Sequence, residues 1–550
     1  MEITMLNRSA FTVSFNLALK RSFVFLLALC FILGGSVPGA RAMDNVLYSK
    51  PEAIGAGDCS TWENACALRT ALTNAVSGDQ IWVMEGRHIP TTTGDRSASF
   101  QLKDGVAVYG GFDGTETSLD QRDWVSNVTI LSGDLLGDDE GFTNNGENSY
   151  HVVYDSFGPV GSYLDGITIS SGNANGGYGY GYGGGMTNVG TLFNKSISSD
   201  YYRNRDSTYN GPTLINVIFR GNMAQIGGGM AYFSFNANLE NVTFAGNLSN
   251  IGGGGMYLSG GSSTFTNVTF SSNHAFAGGG LEIGGGNPVL TNVTFTDNSV
   301  SYNGGGISNW SAQPTLINVT FFKNVAYSGG GALYNKGGSV ALTNSVLWGD
   351  SDGEILNVED GNTTVNFSIV QGGYEGTGNI DADPLLAPLW DYGGEVESNA
   401  ILPGSPVIDA TSSNCPTTDA RGVIRSSPNC DLGAFESQGF SLEKVSGDDQ
   451  TAYIYGYFDL PLCVAVTAND ILEPVNGGKV SFIPPTSGPS AIFANNPAPI
   501  TNGESCTIAR ANGIAGGPYE IMASAAGGTS VTFNLTNISG IMTYLAVVKK

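Results

Sequence analysis

Six stretches in the middle of the chain repeat one another every 25 or 26 residues, and that interval limits the possible folds more than any other feature. The strings TLINVIFRGN, NLENVTFAGN, TFTNVTFSSN, VLTNVTFTDN and TLINVTFFKN place Asn216, Asn241, Asn267, Asn292 and Asn318 in equivalent positions, and a degenerate sixth copy centres on Asn344. Each of the first five is followed by a glycine triplet, beginning at Gly227, Gly252, Gly278, Gly304 and Gly329. An earlier copy, LDGITISSGNAN, stands about two periods upstream and precedes Gly183–Gly185. A fixed period of this size marks a solenoid. One turn cannot bury its own apolar face, so the turns must stack.

The spacing inside one copy defines the turn. Leu239 and Val242 are three apart, and Val242 and Phe244 are two apart. A straight strand would send Leu239 and Val242 to opposite faces. A corner at Asn241 turns all three inward, and Asn tolerates the left-handed backbone such a corner needs. The glycines supply a second corner. Stacking then predicts three interior columns: Leu214, Leu239, Phe265, Leu290, Leu316 and Leu342; Val217, Val242, Val268, Val293 and Val319; Phe219, Phe244, Phe270, Phe295 and Phe321. Two asparagine columns would bond along the stack as amide ladders, one through Asn216 and its equivalents, the other through Asn222, Asn247, Asn273, Asn298 and Asn324. With strands ~4.8 Å apart, about ten coils make a rod on the order of 50 Å long. A leucine-rich repeat lacks this glycine triplet, and a calcium-binding β-roll needs Asp after its glycines, where Met230, Leu281 and Ile307 stand. The expected fold is all-β: a right-handed parallel β-helix, the pectate-lyase-like solenoid, followed by a small Ig-like β-sandwich.

The alternation of Phe-x-x-Asn with Gly-Gly-Gly/Ala resembles the repeats of polymorphic outer membrane proteins, bacterial surface β-helices linked to adhesion. The matching pairs are Phe219/Asn222, Phe244/Asn247, Phe270/Asn273, Phe295/Asn298 and Phe321/Asn324. Residues 379–437 resemble the choice-of-anchor Q region of bacterial surface proteins at Asp383, Pro384, Gly404, Ser405, Pro406, Asp409, Asp419, Arg421, Gly422, Arg425, Asp431, Gly433, Ala434 and Glu436. In residues 445–538, Leu462, Val464 and Val466 alternate, as do Val480 with Phe482 and Tyr519 with Ile521, a sandwich pattern. GDDQTA, DLPLCVAV, GGKVSFIPPTSG and VTFNLTNIS there resemble the bacterial Ig-like domains of invasin-type adhesins. The expected organisation is a signal peptide over 1–42, an N-terminal cap and first coils over 43–150, the repeat helix over 151–378, the choice-of-anchor Q-like cap over 379–440 and the Ig-like domain over 441–550. Within the N-terminal part, Leu68, Ala71, Leu72 and Ala75 predict a short amphipathic helix that closes the open end of the stack.

Export is read from the N-terminus. Lys20 and Arg21 precede an apolar run, Phe23 to Leu33, and Ala40-Arg41-Ala42 offers a cleavage site. The run is short for a membrane span, and no second one follows. Removal of Cys30 with this segment leaves Cys59, Cys66, Cys415, Cys430, Cys463 and Cys506, an even set suited to disulfides in an exported chain. Proximity favours Cys59–Cys66 and Cys415–Cys430, with Cys463–Cys506 as the third pair. The net charge is −25; the first 42 residues carry Arg8, Lys20, Arg21 and Arg41 against Glu2, or +3, so the remainder carries −28. That repels phosphate backbones and argues against nucleic acid as a partner.

No catalytic constellation stands out. His88, His151 and His274 lie in unrelated settings, and Glu240, Glu282 and Asp297 are scattered along the repeats. Two groups merit following. Asp381, Asp383, Asp409, Asp419 and Asp431, beside Arg421 and Arg425, suggest either a calcium site or a salt-bridged cap closing the rod. Tyr178, Tyr180 and Tyr182 in GYGYGYGGG suggest a loop that stacks on sugars. The expectation is a secreted or cell-surface adhesion protein that presents an extended face to an extracellular glycan or protein, without a required cofactor, calcium being the one candidate. The alternative is a polysaccharide lyase or hydrolase on the same fold.

Overall fold

A computed structural model describes residues 45–155, 158–177, 179–188, 210–233, 236–426 and 428–540. The segment read as a signal peptide, Cys30 and Tyr178 lie outside the described residues. Residues 44–550 form one compact unit.

This unit is built on stacked parallel strands. A sixteen-stranded sheet runs from Val46–Ser49 through Gln80–Met84, Ala107–Phe112, Tyr163–Ser170, Thr213–Arg220, Asn238–Ala245, Thr264–Ser271 and Val289–Thr296 to Asn362–Asn366. A nine-stranded and a five-stranded parallel sheet form the other walls of the coil. The register matches the predicted columns: Leu214 pairs with Leu239, Leu239 with Phe265, Phe265 with Leu290, and Phe219, Phe244, Phe270, Phe295 and Phe321 follow one another. The phenylalanine rings stack with centroids 4.7–4.9 Å apart and planes within 2–6° of parallel. All five are fully buried.

Both corners form for the expected reasons. Asn216, Asn241, Asn267, Asn292, Asn318 and Asn344 have φ between 52° and 55°. The glycines do more than turn the chain. Gly227, Gly253, Gly278, Gly304 and Gly330 take the left-handed backbone. Two residues later, a Cβ on Gly229, Gly255, Gly280 or Gly306 would stand 2.7–2.9 Å from the Cδ1 of Phe244, Phe270, Phe295 or Phe321. The triplet is the floor on which the phenylalanine column lies, and a side chain there would displace it.

The buried amide ladder is continuous. Nδ2 of Asn222, Asn247, Asn273 and Asn298 donates to Oδ1 of the next asparagine at 2.9–3.1 Å, and Asn324 donates to Asp350 Oδ1 at 2.7 Å. Each amide also donates to a backbone carbonyl one coil back, as Asn273 does to Phe244 at 2.8 Å. These side chains are almost wholly buried, so paired donors and acceptors are a requirement. The corner asparagines form a second ladder from Asn216 to Asn292. A third, not anticipated, joins Asn309, Asn335 and Asn357 and ends on the Tyr374 hydroxyl.

Two further features shape the solenoid. Leu164 pairs directly with Leu214, so the 50 residues separating them make one coil and not two. The acidic segment starts at the C-terminal end of the stack, where Ile380 pairs with Ile369. That end is covered by Tyr374, packed on the core, and by Asn379, which donates to Val365 O and Tyr374 O. From there the segment runs back along the long sheet: Thr269 bonds Glu397, Asn292 bonds Thr418, Asn318 bonds Asp431 and Gly433, and Asn344 bonds Ser413. At the opposite end, Leu68–Asn74 is helical and buries Leu68, Ala71 and Leu72 over the first coil, as expected.

The strands from Phe440–Ser446 to Val531–Ile538 form a mainly antiparallel array with a core of their own, including Leu462, Val464, Val466, Val480, Phe482, Tyr519 and Ile521. All three expected disulfides are present, Cys59–Cys66, Cys415–Cys430 and Cys463–Cys506. The last pair joins residues directly opposite on neighbouring antiparallel strands. No helix among the described residues is long and apolar enough to cross a membrane.

Candidate functional site

The acidic group from the sequence divides in two. Asp381, Asp383 and Asp409 are exposed. Asp381 accepts from Gly372 N, and Asp383 from Leu385 N while facing Lys479 at 3.5 Å. Asp419 and Asp431 are fully buried; Asp419 meets arginine, and the Asp431 carboxylate accepts from Asp409 N and Ser437 N. Arg421 lies over the Phe435 ring, bonds Asp419 at 2.9 Å and reaches Glu473 at 3.4 Å. Arg425 bonds Glu436 at 3.0 Å and donates to Asn292 Oδ1 on the coil and to Gly433 O. Burial, then the neighbouring Glu436 carboxylate, pushes Asp431 up to about 8. The five aspartates therefore do not converge on one cation position. The buried pair belongs to an ionic network that joins the segment to the coil and, through Glu473, to the C-terminal array. Glu473 was missed because it lies 37 residues beyond Glu436 in an unrelated sequence pattern.

The tyrosine loop lies on a different face. Tyr180 stacks on His151 and packs against Tyr150, and Tyr182 meets Phe233 edge-on at 5.4 Å. Tyr182 pairs with Ile226 across the coil boundary and helps line a cleft of about 300 Å³ with Gly176, Gly179, Gly181, Gln225, Ile226 and Ile251. His151 is buried, donates from Nδ1 to Gly183 O, and is pushed down to about 4 by burial, so it is a neutral structural group.

From the rim of this cleft an apolar column continues along the helix. Ile251, Phe276, Tyr302 and Tyr327 occupy one outward position in consecutive coils and are 51, 49, 45 and 77 % exposed. Backbone bonds hold them in step: Ala277 N donates to Ile251 O, and Tyr327 N to Tyr302 O. The Phe276 and Tyr302 rings stack at 5.2 Å. Sequence reading missed this column because its residue types differ, although the spacings are 25, 26 and 25.

Behind the column lies Glu282. Its carboxylate covers Gly252, where any Cβ would collide with Oε2, and burial pushes it up to about 8. Its register neighbours are Tyr257 and Ser308. Glu240 belongs to the long sheet, between Ile215 and Thr266, and Asp297 sits at a corner with φ 53°. These three acids do not share a groove.

A family described as "Right handed beta helix region" matches residues 230–382. No curated protein matches the sequence. Among solved structures, the chain is similar to one entitled "Crystal structure of pectate lyase Pel9A", with 14% identity and a TM-score of 0.43, over 72% of this chain and 96% of that one. The stacked parallel sheets, the in-register columns and the family match together identify an all-β protein built on a right-handed parallel β-helix.

Proposed function

We propose that this is an extracellular binding protein whose contact face is the column Ile251, Phe276, Tyr302 and Tyr327 with the adjoining Tyr182 cleft. The observation that carries the reading is the column itself. Four large apolar side chains stand exposed at one position in consecutive coils, where the interior already has columns of its own. Contiguous apolar patches on a soluble surface mark interaction sites. A partner that fits is long and regular, because the site repeats at the coil spacing of about 4.8 Å. A neutral glycan chain meets that description: its ring faces suit aromatic and aliphatic contacts. The net charge of −25 works against polyanionic ligands. Three disulfides favour an oxidising compartment, and the resemblance to surface adhesins points the same way.

The test is binding of the purified chain to neutral and acidic polysaccharides and to intact cells, with reducing-end release followed in parallel. Retention on a neutral polysaccharide or a cell surface without release supports the proposal. Release of reducing ends would replace it with carbohydrate cleavage, and Glu282 would be the first residue to substitute.

A further inference from the structure

An excursion leaves the coil after the strand Thr129–Ser132 and returns at Ser149, whose N–H donates to Gly133 O at 2.8 Å. It gathers five acids, Asp134, Asp138, Asp139, Glu140 and Glu147. One oxygen each from Asp134, Asp138 and Glu147 lies within 4.8 Å of the others. Three points so placed share a centre no more than about 2.8 Å from each, close to the 2.3–2.6 Å that calcium takes to oxygen. Arg87 stands 3.5 Å from Asp134, and no ion pair to Asp138, Asp139 or Glu147 is present among the described residues.

A second observation separates this from an ordinary acidic surface. Asn148, next to Glu147, is 1 % exposed. Its Nδ2 donates to Asp139 Oδ2 at 2.8 Å, which turns the amide head onto the acidic loop. Its Oδ1 is buried there without a donor, and so is Oε1 of Glu147. A buried acceptor with no partner is destabilising, and more so for a charged group. Two such oxygens beside converging carboxylates describe a space that wants a cation. The donor set is all oxygen and includes an amide, the chemistry of a hard cation with a large, flexible shell.

We infer that Asp134, Asp138 and Glu147, with the Asn148 side-chain oxygen, form a calcium site that orders the 133–149 excursion. It is separate from the acids of residues 381–431. Magnesium fits less well, because it keeps most of its water and demands a strict octahedron.

The test is calorimetric titration of the full chain, freed of metal by chelation, with calcium chloride. One saturable site is expected, with Kd on the order of 10⁻⁵–10⁻³ M. Asp138→Asn and Glu147→Gln should each weaken it at least tenfold, whereas Asp381→Asn should leave it unchanged. Calcium should also slow proteolysis within 133–149 in the parent chain and not in Glu147→Gln. Asp138 is exposed, so Asp138→Asn should fold, and its circular dichroism should match that of the parent. Absence of a saturable calcium site, binding that survives both substitutions, or equal displacement by millimolar magnesium would overturn the assignment.

Discussion

The ladder from Asn222 to Asn324 and the segment from Asp419 to Glu473 both bury polar groups, by opposite means. In the ladder one neutral residue type repeats, and each amide meets its copy one coil away at 2.9–3.1 Å. In the segment the groups are charged, none repeats, and the partners come from three parts of the fold: Arg425 touches Glu436 and Gly433 of the segment and Asn292 of the coil, and Arg421 reaches Glu473 of the C-terminal array. Periodicity lets a single solution serve many coils, with stability summed over neighbours. The segment has one solution made once, and its energy is concentrated in two guanidinium groups.

That contrast can be broken most severely at Arg425. Arg425→Ala leaves the Glu436 carboxylate buried without its cation and should cost about 3–5 kcal/mol, as loss of one partner of a buried pair does. Denaturant unfolding should show the C-terminal part losing its transition first while the parallel stack persists. A single loss of equal size throughout would mean that the two regions are one cooperative unit.

Inside the ladder, Asn273→Ala removes the acceptor of the Asn247 amide and the donor to Phe244 O. Each orphaned group costs about 1–3 kcal/mol. The same substitution at Asn247 should cost the same within error, because the environments are copies. Unequal values, read from urea midpoints, would contradict the nearest-neighbour account.

A smaller effect should appear in the pH dependence. Glu282 is raised from an ordinary carboxylate value to about 8 by burial. A carboxyl held higher in the folded chain than in the unfolded one contributes stability that is full below about 4.5 and is lost as pH rises through about 8. Asp431 acts in the same direction. Glu282→Gln should therefore flatten the decline in thermal midpoint between pH 5 and pH 8.5 without abolishing it. An unchanged slope would show that Glu282 is solvated.

The same contrast explains what could be read from the sequence. Columns through Leu239, Val242, Phe244 and Asn247 were legible because identical residues recur at one interval, and the register places each where that interval requires. The outward column was not, since Ile251, Phe276, Tyr302 and Tyr327 share a position and not a residue type. The coil from Leu164 to Leu214 is two periods long, and the distance between the two copies alone does not say how many coils it holds. The course of residues 379–440 had no local signal: Asn292 and Arg425 are 133 residues apart, and nothing in either neighbourhood announces the other. The acidic excursion was overlooked because Asp134, Asp138 and Glu147 have no repeat counterpart.

The central claim is that the exposed column is the binding face, and the most direct measurement compares the parent with the Tyr302→Ser, Tyr327→Ser double variant on whichever polysaccharide or cell surface retains the parent. Both side chains point outward, so the fold should survive, with an unchanged thermal midpoint. The account predicts at least a tenfold loss of binding in the variant. Binding that is unchanged in a folded double variant would contradict it and move the face elsewhere on the helix.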